Sequence, residues 1–167
     1  MLSPFPALLV SLIQPAPGRR SWHGGPTPLG ALRGVTAEQA AWRPAPGRHS
    51  IWALALHLAY WKYAVRRILE RRPRGGFPRR PANWPRPPAE ATEADWARDV
   101  ALLRDEHERL LAAARRISPR QLGRRPPGKR SWTRGELLTG IALHDAYHTG
   151  QIQMLKRLWR ERGSDPS

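Results

Sequence analysis

Residues 133–159 read TRGELLTGIALHDAYHTGQIQMLKRLW. Thr133 and Glu136 match a capping box, in which each side chain bonds the free backbone amide of the other residue, so a helix is predicted to begin there. Apolar residues then recur every three or four positions, the spacing of one helix face, and Gly163 is predicted to close the helix. The predicted face carries Leu137, Ile141, His144, His148, Ile152, Leu155 and Trp159.

Two further segments repeat their apolar residues with the helical period, and no segment alternates as a strand does. One begins after Ser50, a favourable N-cap, carries His57 on its apolar face, and is predicted to end at Pro73. The other is predicted to run from Glu93 to Ile117 behind the N-cap Thr92. Both are long enough to bury a full face against neighbouring helices.

The rest of the chain supplies one more main helix and long connections. Residues Met1–Gln14 contain a short apolar run and are predicted to form a first helix that docks on the core. A short helix is predicted behind Thr36. Residues 15–28 and 73–91 are rich in proline and glycine, which excludes a helix interior. The predicted fold class is therefore all-α, a four-helix bundle with long connecting loops.

A chain of 167 residues is long enough for one domain with a sizeable core and too short for two ordinary domains. We predict an N-terminal segment with the first helix at 1–20, a helical bundle domain at 21–162 and a disordered tail at 163–167. The apolar run near the start is too short to span a membrane, and no basic residue precedes it as in a secretory signal. No membrane partner is expected, and a signal peptide is the minor alternative.

Cysteine is absent, which removes disulfides, cysteine nucleophiles and thiolate ligands together. Histidine and carboxylate are then the strong metal ligands that the chain can offer. The absence of cysteine is consistent with a reducing cytoplasm, which is the expected location.

The net charge of +16 comes from 29 basic residues, of which all but Lys62, Lys129 and Lys156 are arginine. These residues are scattered over the whole chain, and no nucleic-acid-binding motif joins them. We therefore expect no specific nucleic-acid partner, only weak binding to polyanions that salt suppresses.

His144 and His148 are four residues apart, which places both imidazoles on one helix face, one turn apart, where they can bind one ion. His57 lies on the apolar face of another predicted helix. Side chains on facing helices build the metal sites of bundle cores, and three neutral nitrogens leave a position open for water. The alternative is that these are ordinary core histidines whose nitrogens bond to backbone or water.

The other histidines are assigned less directly. His107 falls on an apolar face and is a fourth ligand, a neighbour of the ligands or a core residue, with the last two favoured. His49, beside a helix cap, is predicted at the surface, and His23 is left undecided. Asp145 either orients a ligand or pairs with an arginine, and we favour the arginine.

His57 and the run His144-x-x-x-His148, followed by Gly150-Gln151-Ile152, are similar to the metal triad of DinB-like proteins. The resemblance extends over 21–159 and includes the segments Trp22-His23-Gly24 and Trp42–Trp52. It implies a four-helix bundle that binds a divalent metal such as zinc or nickel, with iron or manganese as alternatives. The resemblance also implies an enzyme, either a transferase or isomerase that uses a low-molecular-weight thiol, or a hydrolase. It implies a homodimer as well.

Two classes of function follow. The first is a metal-dependent enzyme with a small-molecule substrate, in which the ion activates water or a thiol as the nucleophile. The second is a non-catalytic bundle that binds metal or, less readily, nucleic acid. In the enzyme, we expect Tyr60, Trp61, His107 and Gln151 to line the pocket.

Eight tryptophans are many for this length, so some are expected at an interface between two copies of the chain, with Trp52 and Trp159 as candidates.

Overall fold

The protein is described by a computed structural model, which covers residues 5–19, 21, 23–71, 75–128 and 131–162. Within these ranges every regular element is a helix, and four of the helices are long. In chain order they are α1 (Phe5–Ile13), α2 (Pro28–Ala31), α3 (Ala37–Ala41), α4 (Ile51–Leu69), α5 (Glu93–Arg115), α6 (Pro119–Leu122) and α7 (Arg134–Glu161).

The helix starts depend on side-chain caps that the sequence predicts. Ser50 accepts a hydrogen bond from the Ala53 amide (3.2 Å), and Thr92 accepts one from the Asp95 amide (3.1 Å). Thr133 and Glu136 form the reciprocal capping box at the start of α7. Each cap satisfies an amide that has no partner inside its helix, which fixes where the helix begins.

The helix ends differ slightly from those predicted. α5 stops at Arg115 rather than Ile117, because the amides of Arg116 and Ile117 bond to carbonyls only three residues back and tighten the last turn. The short helices α2 and α6 were not expected; each begins with a proline behind a Thr or Ser cap, the favoured order at a helix start.

The long helices α1, α4, α5 and α7 pack in a ring: α4 contacts α5 and α7, and α1 contacts the same two helices. This arrangement confirms the predicted all-α bundle. The division of the chain at residue 21 stays a prediction, and the predicted tail at 163–167 lies outside the described residues. Among the described helices, none is long and apolar enough to cross a bilayer.

Trp52 lies inside the bundle rather than at its surface. The side chain is only 1% exposed, and its indole Nε1 donates to Asp99 of α5 (2.8 Å). Trp52, one of the two candidates for an interface between copies, is therefore a core residue, because a buried carboxylate satisfies its polar atom. Trp159 is half-buried and packs edge-on against Trp42, with the Arg162 guanidinium over its ring.

A buried ion pair joins α4 to α7. The Lys62 ammonium, 0% exposed, donates to the Asp145 carboxylate, which is also buried. Burial raises the pKa of the Asp145 carboxyl, and the charge of Lys62 opposes that shift. The expectation that Asp145 pairs with an arginine is wrong; its partner is Lys62, which α4 points towards α7.

Removal of one partner from this pair should be costly. We expect Lys62→Met to lower the free energy of unfolding by about 3–5 kcal/mol, because Asp145 is left buried without its counter-ion. Adding Asp145→Leu should restore much of the loss, since two apolar groups need no partner. Urea denaturation with a chelator present measures both changes.

The matched control is Arg109→Ala, which breaks the exposed pair between Arg109 and Asp105 (3.0 Å) and a longer contact between Arg109 and Glu106 (3.8 Å). It should cost less than about 1 kcal/mol. A double variant that is no more stable than Lys62→Met would contradict the interpretation.

Candidate metal centre

Three histidines converge between α4 and α7. His57 comes from α4, and His144 and His148 come from successive turns of α7. One ring nitrogen of each lies within 4.8 Å of those of the other two, and the Nε2 atoms of His57 and His144 are 3.1 Å apart. His57 and His148 are buried and His144 is half-buried. The structure thus brings together all three residues that the sequence singled out.

A backbone carbonyl orients the His57 ring. The Asn83 carbonyl oxygen lies 2.5 Å from His57 Nδ1. Because a carbonyl only accepts, Nδ1 must carry the proton, and the lone pair of Nε2 then faces the other two histidines. Metal-binding histidines in proteins are commonly held this way, with one nitrogen bonded to a carbonyl or carboxylate and the other left for the ion.

His148 is oriented in the same manner from within its own helix. Gln151, one turn further along α7, places its side-chain oxygen 2.6 Å from His148 Nδ1. That oxygen fixes the proton on Nδ1 and leaves Nε2 as the basic atom. Gln151, which we predicted to line a pocket, thus contacts a candidate ligand directly.

His144 completes the group through its Nε2 atom. Two lone pairs cannot face each other at 3.1 Å, and the proton of His57 is on Nδ1, so His144 Nε2 is the donor in the metal-free protein. Its Nδ1 is buried and has no hydrogen-bond partner among the described residues. An unpartnered buried nitrogen costs stability, and the same holds for His107 Nδ1, which lies outside this group.

All three imidazoles are neutral near pH 7. Burial lowers the pKa of His57 to about 4, against the hydrogen bond to Asn83, which raises it. Burial, followed by the neighbouring His148 and His57, lowers the pKa of His144 to about 3. Burial likewise lowers the pKa of His148. Neutral nitrogens are the form in which histidine binds metal, so no proton has to be removed at neutral pH.

The long connection between α4 and α5 forms one wall of the site. The Trp84 indole lies flat against the His57 ring, with centroids 3.7 Å apart and planes at 9°. His49 stacks on the opposite face of the same indole, with centroids 3.8 Å apart. Trp84 is therefore held between two imidazoles, and it prevents the His57 ring from tilting away from α7.

Several polar and aromatic contacts hold this connection in place. Asn83 accepts a hydrogen bond from the Trp61 indole through its side chain (2.9 Å), while its backbone occupies the left-handed region at φ 68°. Arg79 bonds Asp99, the buried carboxylate that also accepts from Trp52. Phe77 packs edge-on against Tyr60 of α4. The connection is thus tied to α4 and α5 ahead of Asn83, and to α4 again by Asn83 itself.

The remaining candidate residues have different positions. Trp61 lies edge-on to His57 and His144, with centroids 6.4 and 6.1 Å away. Tyr60 contacts Trp61 and Phe77, behind the histidines.

His107 lies apart from the three-histidine group. Its Nε2 is 3.0 Å from the side-chain oxygen of Gln14, next to α1. Burial, followed by the charges of Lys62 and Arg115, lowers its pKa to about 3. His49 is exposed, as predicted, although it stacks on Trp84, and the exposed His23 accepts from the Gly25 amide.

Sequence reasoning missed Asn83 and Trp84, which contact the candidate ligand His57. The proline-rich stretch around them looked like a connection and nothing more. Two signals were available: a tryptophan is seldom left in a purely solvated loop, and asparagine is one of the few residues that tolerates a positive φ. Neither signal identifies which histidine such a loop covers.

Comparison with known protein families assigns the chain to one of them. The family model of the DinB superfamily matches residues 28–152, about three quarters of the sequence. The chain belongs to the DinB superfamily. No curated protein and no solved structure matches it significantly. The match to this superfamily includes all three histidines and the whole connection that carries Asn83 and Trp84.

The hydrogen bonds of this DinB-superfamily site predict the position of each imidazole proton. In metal-free protein at neutral pH, His57 and His148 should carry the proton on Nδ1 and His144 on Nε2. Long-range proton–nitrogen correlation spectra of the histidine rings distinguish these tautomers. A His57 ring protonated on Nε2 would contradict the geometry.

A pair of variants tests the role of the stacked indole. Trp84→Ala should leave His57 in a mixture of tautomers, because the ring is no longer held against the Asn83 carbonyl. Trp132→Ala, which removes a tryptophan that is 59% exposed, should leave the His57 signals unchanged.

Proposed function

We propose that His57, His144 and His148 bind one divalent metal ion and that the protein is a metal-dependent enzyme, a thiol-dependent transferase or a hydrolase. Zinc or nickel is the proposed ion, with iron or manganese as alternatives. The observation that carries the proposal is the convergence of three ring nitrogens within 4.8 Å of one another. Membership of the DinB superfamily supports it.

The residues present fit such an ion. All three donors are neutral imidazole nitrogens, which suit zinc, nickel and iron. Two of the rings have the outward nitrogen bonded to an oxygen, the usual second contact of a metal-binding histidine. The 3.1 Å approach of His144 to His57 brings together two nitrogens that an ion would bind jointly, in place of the proton that they share.

His57, His144 and His148 would hold the ion, which would supply Lewis-acid chemistry that lowers the pKa of a water or thiol towards neutral. The protein's own part is to hold the ligands in place. Asn83 and Gln151 fix the two ring orientations. Trp84 covers one face of His57 and keeps water from that side, which strengthens the electrostatic interactions at the site.

The surroundings support a small-molecule substrate. Trp61 and Trp84 lie next to the histidines, and Tyr147, which is exposed, lies edge-on to His148 with centroids 4.9 Å apart. The exposed ring of Tyr147 can bind an apolar or planar part of a ligand, whereas both faces of Trp84 are covered by His57 and His49. A low-molecular-weight thiol is the proposed co-substrate.

A homodimer is also proposed. Leu143, Tyr147, Met154 and Leu158 are exposed on α7 at spacings that place them along one side of the helix. Exposed apolar stripes of this length are typical of interfaces.

Location in the cytoplasm, proposed from the absence of cysteine, can be checked by cell fractionation.

Cobalt-substituted protein tests the proposed site and its chemistry together. If the open position accepts a thiol, addition of a small thiol should produce a new sulfur-to-metal charge-transfer band. His57→Ala should bind cobalt at least tenfold more weakly, whereas His107→Ala should retain the ion and the band.

The control outcomes separate the alternatives. Bound cobalt without a thiol band would leave a non-catalytic metal-binding bundle. Loss of cobalt from His107→Ala would instead indicate a fourth histidine ligand.

The dimer is tested by light scattering. The mass should exceed the 18.9 kDa of one chain at micromolar concentration. Leu143→Glu should shift the mass to that of a monomer, because the charge cannot be buried in an apolar interface. A monomer mass for the unaltered protein would refute the proposed dimer.

A further inference from the structure

A second concave site lies at the end of the bundle where α4 and α5 stop and α7 begins. The cleft has a volume of about 410 Å³ and is lined by three arginines, Arg71, Arg116 and Arg134, together with Gln121 and Glu70. Its volume falls within the range of small-molecule sites, about 300–1,000 Å³. No residue of the candidate metal centre lines it.

Arg134 is the fixed part of this cleft. It is only 4% exposed, and its guanidinium donates to the carbonyl oxygen of Arg124 (3.1 Å) and, more weakly, to that of Arg125 (3.4 Å). The backbone amide of Arg134 also donates to the Arg124 carbonyl (3.1 Å). These bonds immobilise a charged side chain that would otherwise extend into water, so little entropy remains to be lost when a ligand binds.

Glu70 contributes the one carboxylate in the described lining of this cleft, beside three arginines. Among the residues that the structure describes, Arg71, Arg116 and Arg134 have no carboxylate partner in an ion pair. Glu70, which also lines the cleft, bonds Arg66 (2.9 Å). Burial, and then the positive charges of Arg71 and Arg124, lower the pKa of Arg134 below its usual value.

The partial charges at the helix ends account for the positions of only some of these arginines. Basic residues near Glu70 and Arg116 are favourable because the carbonyl ends of α4 and α5 carry partial negative charge. Arg134, however, is the first residue of α7, where the helix dipole disfavours a cation. The Arg124 and Arg125 carbonyls stabilise this buried cation in part, and an anion bound between the arginines would stabilise it further.

We propose that this cleft binds the phosphate group of a small molecule, with Arg71, Arg116 and Arg134 as its charged donors. Guanidinium groups bind phosphate with paired, charge-assisted hydrogen bonds, and Gln121 offers a neutral donor. The concave shape favours a small ligand over a nucleic acid, whose backbone is bound along an extended basic surface.

Calorimetric titration with inorganic pyrophosphate at constant ionic strength tests the proposal on the full-length protein. Arg71→Gln and Arg116→Gln should each weaken binding about tenfold, the loss expected for one charged hydrogen-bonding group. Arg104→Gln removes the same charge from an exposed position on α5, about 18 Å along the helix from Arg116, and should change the affinity less than twofold.

Two further measurements test whether pyrophosphate binds elsewhere or the cleft binds a nucleic acid. His57→Ala should bind pyrophosphate as well as the unaltered protein does, which separates this cleft from an ion held by the three histidines. Duplex DNA at physiological salt should not displace pyrophosphate; displacement that Arg116→Gln abolishes would assign the phosphate to a nucleic-acid backbone.

Arg116 is exposed, so its substitution should leave the circular dichroism spectrum and melting temperature unchanged and keep the test valid if Arg71→Gln misfolds. Equal pyrophosphate affinity in the unaltered protein, Arg116→Gln and Arg104→Gln would overturn the proposal, as would the absence of binding altogether.

Discussion

The hydrogen bond from His57 Nδ1 to the Asn83 carbonyl is the contact on which the site depends. It joins the middle of α4 to the connection that follows it, and it determines which ring nitrogen faces α7. Without it, His57 has no fixed tautomer and the three histidines have no common direction. The stacked Trp84 and the Arg79–Asp99 pair matter because they hold that carbonyl where it is.

Several polar and charged side chains are buried in the interior of this bundle. Lys62 and Asp145 neutralise each other, and Trp52 and Arg79 share Asp99. Each of these groups has a partner, as most buried polar groups in proteins do. Some buried atoms have no partner among the described residues: Asp145 Oδ1, Thr149 Oγ1, Arg67 Nε and His107 Nδ1 are examples, and so is His144 Nδ1. His144 belongs to the three-histidine group, in which a bound metal ion would change the protonation of the rings.

The sequence predicted the helices well because the signals are local. Ser50, Thr92 and Thr133 cap helices through bonds that span three residues, and the apolar period marks the buried face of each helix. The three histidines could be grouped because two are four residues apart on one helix and the third lies on an apolar face. Such inferences need no knowledge of how distant segments meet.

The contacts that could not be predicted from the sequence all depend on tertiary packing. Asp145 pairs with Lys62, 83 positions earlier in the chain, and Asn83 reaches His57 across 26 positions. Trp52 is buried because Asp99 on another helix accepts its indole hydrogen. No spacing rule within one helix encodes these pairings, and a proline-rich connection carries no period that would show which side chains it covers.

Elemental analysis of protein purified without an affinity tag tests the metal centre most directly. Unaltered protein and His107→Ala should each contain about one divalent ion per chain, as a site with a single set of three ligands requires. His57→Ala, His144→Ala and His148→Ala, each shown by circular dichroism to be folded, should contain far less. A full equivalent of metal in folded His57→Ala would contradict the account and return the three histidines to the ordinary core.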